Sequence, residues 1–161
     1  MATFDLEDFL PYLLNRAGTR IADSFAREAR RHGVTLQMWR VLAALHQKDG
    51  QAVGRLAGMT SIDVSTLSRL LDQMQKRRLV TRKRSGQDQR SVAIHRTAAG
   101  EAVTERLIPV ALAYERQAAS GLDVRQEKVL KEMLRRLYTN MEKLQTAGTP
   151  ASAPIGRNRS A

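Results

Sequence analysis

The sequence predicts a mainly α-helical fold with a small β-hairpin, in the α+β class. Apolar residues recur at helical spacing along most of the 161 residues, beginning with Leu6, Leu10, Leu13 and Leu14. Within residues 79–96, apolar and polar side chains instead alternate as in two β-strands, and a turn that contains Ser-Gly separates the strands. A chain of this length suits one domain with an added oligomerisation segment.

The first helices are predicted from apolar spacing and terminal signals. One helix covers residues 6–31 and stops before Gly33. Thr35 caps a second helix that runs to about His46. Residues 53–59 fit one or two helical turns, and a polar break follows them.

Asp63 caps the next helix, which runs to about Arg77. Its predicted apolar face consists of Val64, Leu67, Leu70, Leu71 and Met74. Two short helices joined by a tight polar turn predict a helix-turn-helix. Two strands follow at 79–84 and 91–96, with Val92 and Ile94 as their half-buried positions. A helix-turn-helix followed by a hairpin is the winged-helix arrangement.

Two long helices complete the fold. Thr97 caps a helix over 98–119 that contains Pro109, where a kink is one reading. A capping box of Asp123 and Gln126 predicts a last helix to about Leu144. The segment from residue 146 is small, polar and proline-containing, which predicts disorder.

Positive charge is concentrated in the middle of the chain. The net charge is +11, and residues 51–100 carry ten Lys/Arg against three Asp/Glu. A localised basic surface attracts a polyanion, most often nucleic acid. A solvated basic face is the alternative.

Several function classes are excluded or disfavoured. The chain has no cysteine, which rules out disulfides, thiolate metal sites and thiol-based redox sensing. His32, His46 and His95 are too scattered to predict a metal site, and no catalytic constellation is recognisable. We therefore expect no enzyme, metal or cofactor. The sequence lacks a secretory signal and an 18-residue apolar run, so we expect a soluble cytoplasmic protein without a membrane partner.

The helices outside the winged helix carry apolar stripes that a short chain can cover only partly, which predicts a homodimer. The predicted organisation is an N-terminal dimerisation helix (1–33) and a winged helix-turn-helix DNA-binding domain (34–97). C-terminal dimerisation helices (98–145) and a disordered tail (146–161) follow.

The sequence resembles the MarR family of bacterial winged-helix transcription regulators. The resemblance covers about residues 8–145 and rests on VTLQMWRVLAAL (34–45), SIDVSTLSRLLDQMQKRRLVTR (61–82) and DQRSVAIHRTAAG (88–100). Three positions depart from the family pattern. Arg78 stands where glycine is common, Arg96 where leucine is common, and Thr60 where the turn usually has leucine.

The resemblance implies that Arg90 lies near the wing tip and enters the DNA minor groove, whose negative potential favours a guanidinium. Asp88 is then an orienting partner that holds the arginine by charge-assisted hydrogen bonds. The alternative for Asp88 is an ordinary turn residue.

The outward side of the fourth helix is the candidate for base recognition. Small hydroxyls allow close approach to base edges, and arginine can bind guanine in a bidentate way. These candidates are Ser65, Thr66, Ser68 and Arg69. Arg55, Arg82, Lys83 and Arg84 are predicted phosphate contacts, which position the protein without reading sequence. The alternative is a solvated polar face.

The family resemblance also implies a pocket for a small aromatic or anionic effector. Its candidate lining residues are Tyr12, Arg16, Arg20, Trp39, Arg40 and His46, because aromatic surface with a cation suits an aromatic carboxylate. Trp39 can equally be a core residue. The sequence thus predicts a homodimeric repressor that binds an inverted-repeat operator in double-stranded DNA. A non-specific architectural DNA-binding protein is the alternative function.

Overall fold

The structure is a computed structural model, and it describes residues 4–84 and 92–147. The chain forms two compact units, one ending at Ala118 and one beginning at Ala119. The first unit contains every strand and all helices but the last. The predicted hairpin tip and most of the predicted disordered tail lie outside the described residues.

Six helices and three strands are formed by the described chain. The helices are α1 (Leu10–Arg31), α2 (Leu36–Gln47), α3 (Val53–Thr60), α4 (Val64–Lys76), α5 (Ala98–Ala118) and α6 (Val124–Ala147). The strands are β1 (Gln51–Ala52), β2 (Val80–Arg84) and β3 (Val92–Arg96). This mainly helical structure with one small sheet confirms the predicted fold class.

The predicted helix caps are confirmed. The Thr35 hydroxyl accepts a hydrogen bond from Met38 N at 3.2 Å, and the Thr97 hydroxyl accepts one from Gly100 N at 3.1 Å. Before α6, Asp123 and Gln126 exchange backbone-to-side-chain bonds of 2.8 and 2.9 Å, which is a capping box. These bonds satisfy N–H groups that have no partner within the helix.

The three strands form one antiparallel sheet in the order β1-β3-β2. β2 and β3 pair from Val80 with Arg96 to Arg84 with Val92. The sequence analysis missed β1, which pairs Gln51 with Ile94. A two-residue strand has no alternation that could reveal it.

One hydrophobic core lies within the first unit. It is made by apolar faces of α2, α3 and α4 with the ends of the sheet and parts of α1 and α5. Its fully enclosed side chains include Val41, Leu42, Leu45, Leu56, Leu67, Leu71, Met74, Ile94 and Leu107. Phe25 and Ala29 attach the C-terminal half of α1 to this core. The core fixes where α4 and the β2–β3 hairpin stand.

Several boundaries and faces differ from the predictions. Helix α1 begins at Leu10, four residues later than predicted, with proline in its first turn, where a missing N–H costs nothing. Helix α5 continues through Pro109, and α6 extends to Ala147, into the segment predicted to be disordered.

Two valines that were predicted to face inward are exposed. Val64 is 54% exposed and Val92 is 40% exposed. Each is the first residue of its helix or strand. The remaining predicted apolar positions of α4 are buried as expected.

Candidate nucleic-acid interface

The start of α4 is organised around Asp63. One oxygen of its carboxylate accepts hydrogen bonds from the Ser65 hydroxyl at 2.6 Å and from Thr66 N at 2.8 Å. The Ser65 hydroxyl bond, followed by the Thr66 bonds, holds the pKa of Asp63 well below its ordinary value. The carboxylate is therefore charged at neutral pH and caps the positive end of the helix.

The outward face of α4 presents a mixed polar surface. Arg69 is exposed, and within the described chain it forms no ion pair. The Ser68 hydroxyl donates to the Val64 carbonyl one turn earlier, at 2.8 Å. The opposite face of the helix, from Leu67 to Met74, is buried in the core. The candidate base-reading residues thus lie on the solvent side of a firmly packed helix.

The strand β2 continues this surface with three exposed basic residues, Arg82, Lys83 and Arg84. Their environments differ. Arg82 Nη1 is paired with Asp72 Oδ1 of α4 at 2.6 Å, and its other terminal nitrogen lies 3.5 Å from the Ser68 carbonyl. Lys83 and Arg84 pair with no described carboxylate. Arg82 therefore links the strand to the helix.

The junction of α4 and β2 is a Schellman turn. Arg78 N donates to Gln75 O at 2.9 Å and Leu79 N to Met74 O at 2.9 Å. Arg78 adopts a φ of 57°, which explains why a glycine is common at this position in the family pattern. The Arg78 carbonyl accepts a bond of 2.5 Å from the Thr97 hydroxyl, which connects the turn to the start of α5.

A polar cluster fixes the other end of β3. Asp49 accepts hydrogen bonds from His95 Nδ1 at 2.8 Å and from Arg96 N at 2.9 Å. Burial alone raises the pKa of Asp49, but the bonds from Arg96 N and His95 outweigh it, so the pKa is lowered overall. Arg96 Nη1 reaches His46 Nδ1 at 3.2 Å, while its buried Nε has no hydrogen-bond partner among the described residues.

The sequence analysis missed the roles of Asp49 and Asp72. Their partners lie 46 and 10 residues away along the chain, so no local spacing could reveal the contacts. Of the predicted DNA-contacting residues, Arg55 is exposed on α3. Asp88 and Arg90 lie outside the described residues, so their roles stay predictions.

The six candidate effector residues do not form one site in a single chain. Arg16 and Arg20 line a surface cavity of about 660 Å³ along α1, and Arg16 stacks on the Tyr12 ring at 5.3 Å. Trp39 and Arg40 line a second cavity of about 450 Å³ beside the α3–α4 turn. His46 lies in the polar cluster with Arg96.

Trp39 also packs against Phe25, with ring centroids 5.4 Å apart. It is half-buried, so it serves the core and borders the cavity at once. Within the two described segments, no group of three or more His, Asp or Glu side chains could hold a metal ion. No helix in the same segments combines the length and apolarity needed to span a membrane.

Comparisons with known proteins agree with this geometry. The sequence model of the MarR family matches residues 32–91. The crystal structure of a MarR-family transcriptional regulator from Silicibacter pomeroyi is 30% identical, with a TM-score of 0.74, covering 92% of this chain and 96% of that one. The organic hydroperoxide resistance transcriptional regulator of Bacillus subtilis (strain 168) is 27% identical over 139 residues, 86% of this chain and 91% of that protein.

A transcriptional repressor, CouR, solved bound to a 23-mer DNA duplex, is 25% identical with a TM-score of 0.73. The alignment covers 86% of this chain and 98% of that one. Identity of 30% over nearly the full length, together with the helix-turn-helix and hairpin described above, identifies the family. The chain belongs to the MarR family of transcriptional regulators.

Proposed function

We propose that the protein is a homodimeric repressor that binds an inverted-repeat operator and is released by a small aromatic or anionic ligand. The observation that carries the DNA-binding proposal is that two exposed polar surfaces lie next to each other. The solvent face of α4 offers Ser65, Ser68 and Arg69, and the adjacent strand β2 offers Lys83 and Arg84, two exposed cations that pair with no described carboxylate.

This arrangement suits the two kinds of contact that specific DNA recognition needs. Helix α4 enters the major groove, where Arg69 can bind guanine O6 and N7 in a bidentate way. Lys83, Arg84 and Arg55 contact phosphates and set the register of the protein on the duplex. Arg90 enters the minor groove with Asp88 as its orienting partner. The complex of the 25% identical CouR with duplex DNA supports binding of double-stranded DNA by this chain.

The homodimer is supported by exposed apolar residues on the terminal helices. On α1, Leu10, Leu13, Leu14 and Ile21 are each at least 37% exposed. On α6, Leu130, Met133, Leu134, Met141 and Leu144 are each at least 40% exposed. Several exposed apolar residues along one helix are typical of a protein–protein interface. Two-fold symmetry in the protein then matches an inverted repeat in the DNA.

The cavity beside Trp39 and Arg40 is the best-supported effector site in the described chain. It combines an indole face with a guanidinium, which suits an aromatic carboxylate. It also borders Thr60 and Ser61, in the turn that leads into α4. A ligand there would act on α4, the helix that enters the major groove in this proposal, through that turn. Thiol oxidation by a hydroperoxide is not available to this chain, which has no cysteine.

Selection of bound sequences from a random DNA pool tests the proposal directly. We expect an enriched inverted repeat and a footprint of matching length. Uniform binding of all sequences with strong salt dependence would instead favour a non-specific architectural protein, the alternative that the net charge of +11 supports. Release of the operator by aromatic carboxylates, lost in Arg40→Ala, tests the ligand proposal.

Two variants separate base reading from phosphate binding. Arg69→Ala should cost about 1–3 kcal/mol and relax base preference at one position in each half-site. Lys83→Ala should weaken binding to all sequences alike. Competition assays with operators mutated at single positions distinguish the two. A uniform loss of affinity in both variants would contradict the role assigned to Arg69.

A further inference from the structure

Val64 is the first residue of α4, and its side chain is 54% exposed. The other four apolar residues that were assigned to the inner face of this helix are buried in the core. Val64 instead stands one and two turns before Ser68 and Asp72, both of which lie on the solvent side. It therefore adds an apolar group to the surface that faces the DNA major groove in the proposed function.

The hydroxyl groups beside Val64 have no free hydrogen to donate. The Ser65 hydroxyl donates to Asp63 Oδ1 at 2.6 Å, and the Ser68 hydroxyl donates to the Val64 carbonyl at 2.8 Å. A hydroxyl carries one hydrogen, so both groups can only accept from a ligand. Phosphate oxygens are acceptors, so these serines cannot bind phosphate in this arrangement.

In the N-terminal turns of α4, the Ser65 and Ser68 hydroxyls thus offer DNA two hydrogen-bond acceptors, beside the Thr66 hydroxyl, the Arg69 guanidinium and the branched apolar side chain of Val64. Among the base edges in the major groove, thymine presents a methyl group at C5. A valine contacts such a methyl favourably, because both surfaces are removed from water together. Against a phosphate or an amino group, the same valine would remove hydration and return no hydrogen bond.

We propose that Val64 contacts the C5-methyl of a thymine and that each operator half-site carries a thymine at that position. The inference rests on the proposed function, since it requires α4 in the major groove. It names Val64 as a specificity-determining residue, alongside the guanine contact assigned to Arg69.

The test uses deoxyuridine, which differs from thymidine only by the absence of the C5-methyl. The operator enriched from the random pool is synthesised with each thymine replaced in turn, and dissociation constants are measured by fluorescence anisotropy. With the wild-type chain, we expect one thymine per half-site at which uracil weakens binding about fourfold. Val64→Ala should bind the thymine operator about as weakly as the wild type binds the uracil operator. Its affinity should not change further when uracil replaces thymine at that position.

The chain provides a matched control. Val124 is also the first residue of a helix behind an aspartate cap, and it is 87% exposed. Val124→Ala should keep the wild-type affinity and the uracil sensitivity. Val64→Thr retains one γ-methyl, so it should keep part of the sensitivity. Circular dichroism verifies that each variant is folded.

The possible failures are distinguishable. An enriched operator whose thymines all respond to uracil equally in the wild type and in Val64→Ala would overturn the role of Val64 and leave the proposed function intact. A random pool that yields no enriched sequence would overturn both.

Discussion

Gly33 and Arg78 end their helices in the same way. After α1, Gly33 N donates to Arg30 O and Val34 N to Ala29 O, and after α4 the corresponding bonds come from Arg78 and Leu79. Both residues have positive φ, 76° at Gly33 and 57° at Arg78. Glycine adopts this conformation without strain because it has no Cβ, whereas the Cβ of arginine clashes with the backbone there. The chain therefore contains a relaxed and a strained example of one turn.

Arg78→Gly should stabilise the fold. Relief of the left-handed strain is partly offset by the greater flexibility of glycine in the unfolded chain, so we expect a net gain of about 0.5–1 kcal/mol. Gly33→Ala is the counterpart and should destabilise by about 1 kcal/mol. Urea unfolding of both variants measures the two effects. A loss of stability in Arg78→Gly would show that the arginine side chain contributes more than the backbone strain costs.

Gly100 is required by close packing. A Cβ at this position would lie 2.0 Å from the Leu79 carbonyl oxygen, a contact that no side-chain movement can relieve. Gly100→Ala should therefore destabilise the protein by about 3 kcal/mol or more. Gly58 is a matched control, because it lies in α3 with nothing within 4 Å of an added Cβ. Gly58→Ala should stabilise by about 0.5–1 kcal/mol. Thermal unfolding of the two variants should shift in opposite directions.

The sequence predicts residue-scale features where the chemistry is local. Thr35, Asp63, Thr97 and Asp123 were recognisable as caps because the N–H that each one bonds lies three residues ahead. The exposure of Val64 could not be predicted, because helical spacing alone assigns it to the inner face. Its position depends on where the core ends, which is a property of the assembled elements.

At the scale of elements, helix α4 and strand β2 are joined through the ion pair of Asp72 and Arg82. Both side chains are partly exposed, at 55% and 33%. The double-mutant cycle of Asp72→Ala and Arg82→Ala should therefore give a coupling of only about 0.2–1 kcal/mol in urea unfolding.

Because of this ion pair, substitutions of Arg82 and Lys83 should change the salt dependence of DNA binding by different amounts. Lys83→Ala should flatten the dependence of log K on log salt by about one unit per half-site, because one phosphate contact is lost. Arg82→Ala should change this slope less, because its guanidinium is already held by Asp72. Equal slope changes in the two variants would mean that the ion pair opens when DNA binds.

The Asp49 cluster makes one connection between elements sensitive to pH. The pKa of Asp49 is lowered from 3.8 in the folded chain, so its charged form is favoured by folding. This contribution is fully present above the unfolded value and is lost as the pH falls through the lower folded pKa.

Asp49→Asn should therefore be less stable than the wild type at pH 6, and the difference should shrink as the pH falls below 3.8 and through the lowered folded pKa. We expect the difference to stay under about 1 kcal/mol, because the Asp49 side chain is 43% exposed. Urea unfolding at a series of pH values measures it.

At the scale of the whole molecule, helix spacing in the sequence identified the apolar stripes of α1 and α6, and the structure describes both stripes as exposed. What sequence cannot supply is the partner surface. An apolar stripe that is exposed in the single chain has the same sequence pattern as a stripe that is buried within the chain's own fold. The long-range contacts of Asp49 and the split of the effector candidates over three places have the same origin, since each depends on how distant elements come together.

Leu134→Glu tests the proposed homodimer. Leu134 lies within the α6 stripe and is 40% exposed, and a charge there would have to be buried when two chains associate. We expect sedimentation equilibrium to show a monomer at micromolar concentration, where the wild type is a dimer. Thermal unfolding should lose its dependence on protein concentration. Operator affinity should fall about tenfold or more, because the two half-sites are no longer bound by one linked dimer.

Arg135→Gln changes the net charge by the same amount on the neighbouring face, and it should preserve both the dimer and the affinity. A monomeric wild type that binds its operator with full affinity would contradict the homodimer and leave the exposed stripes to another partner.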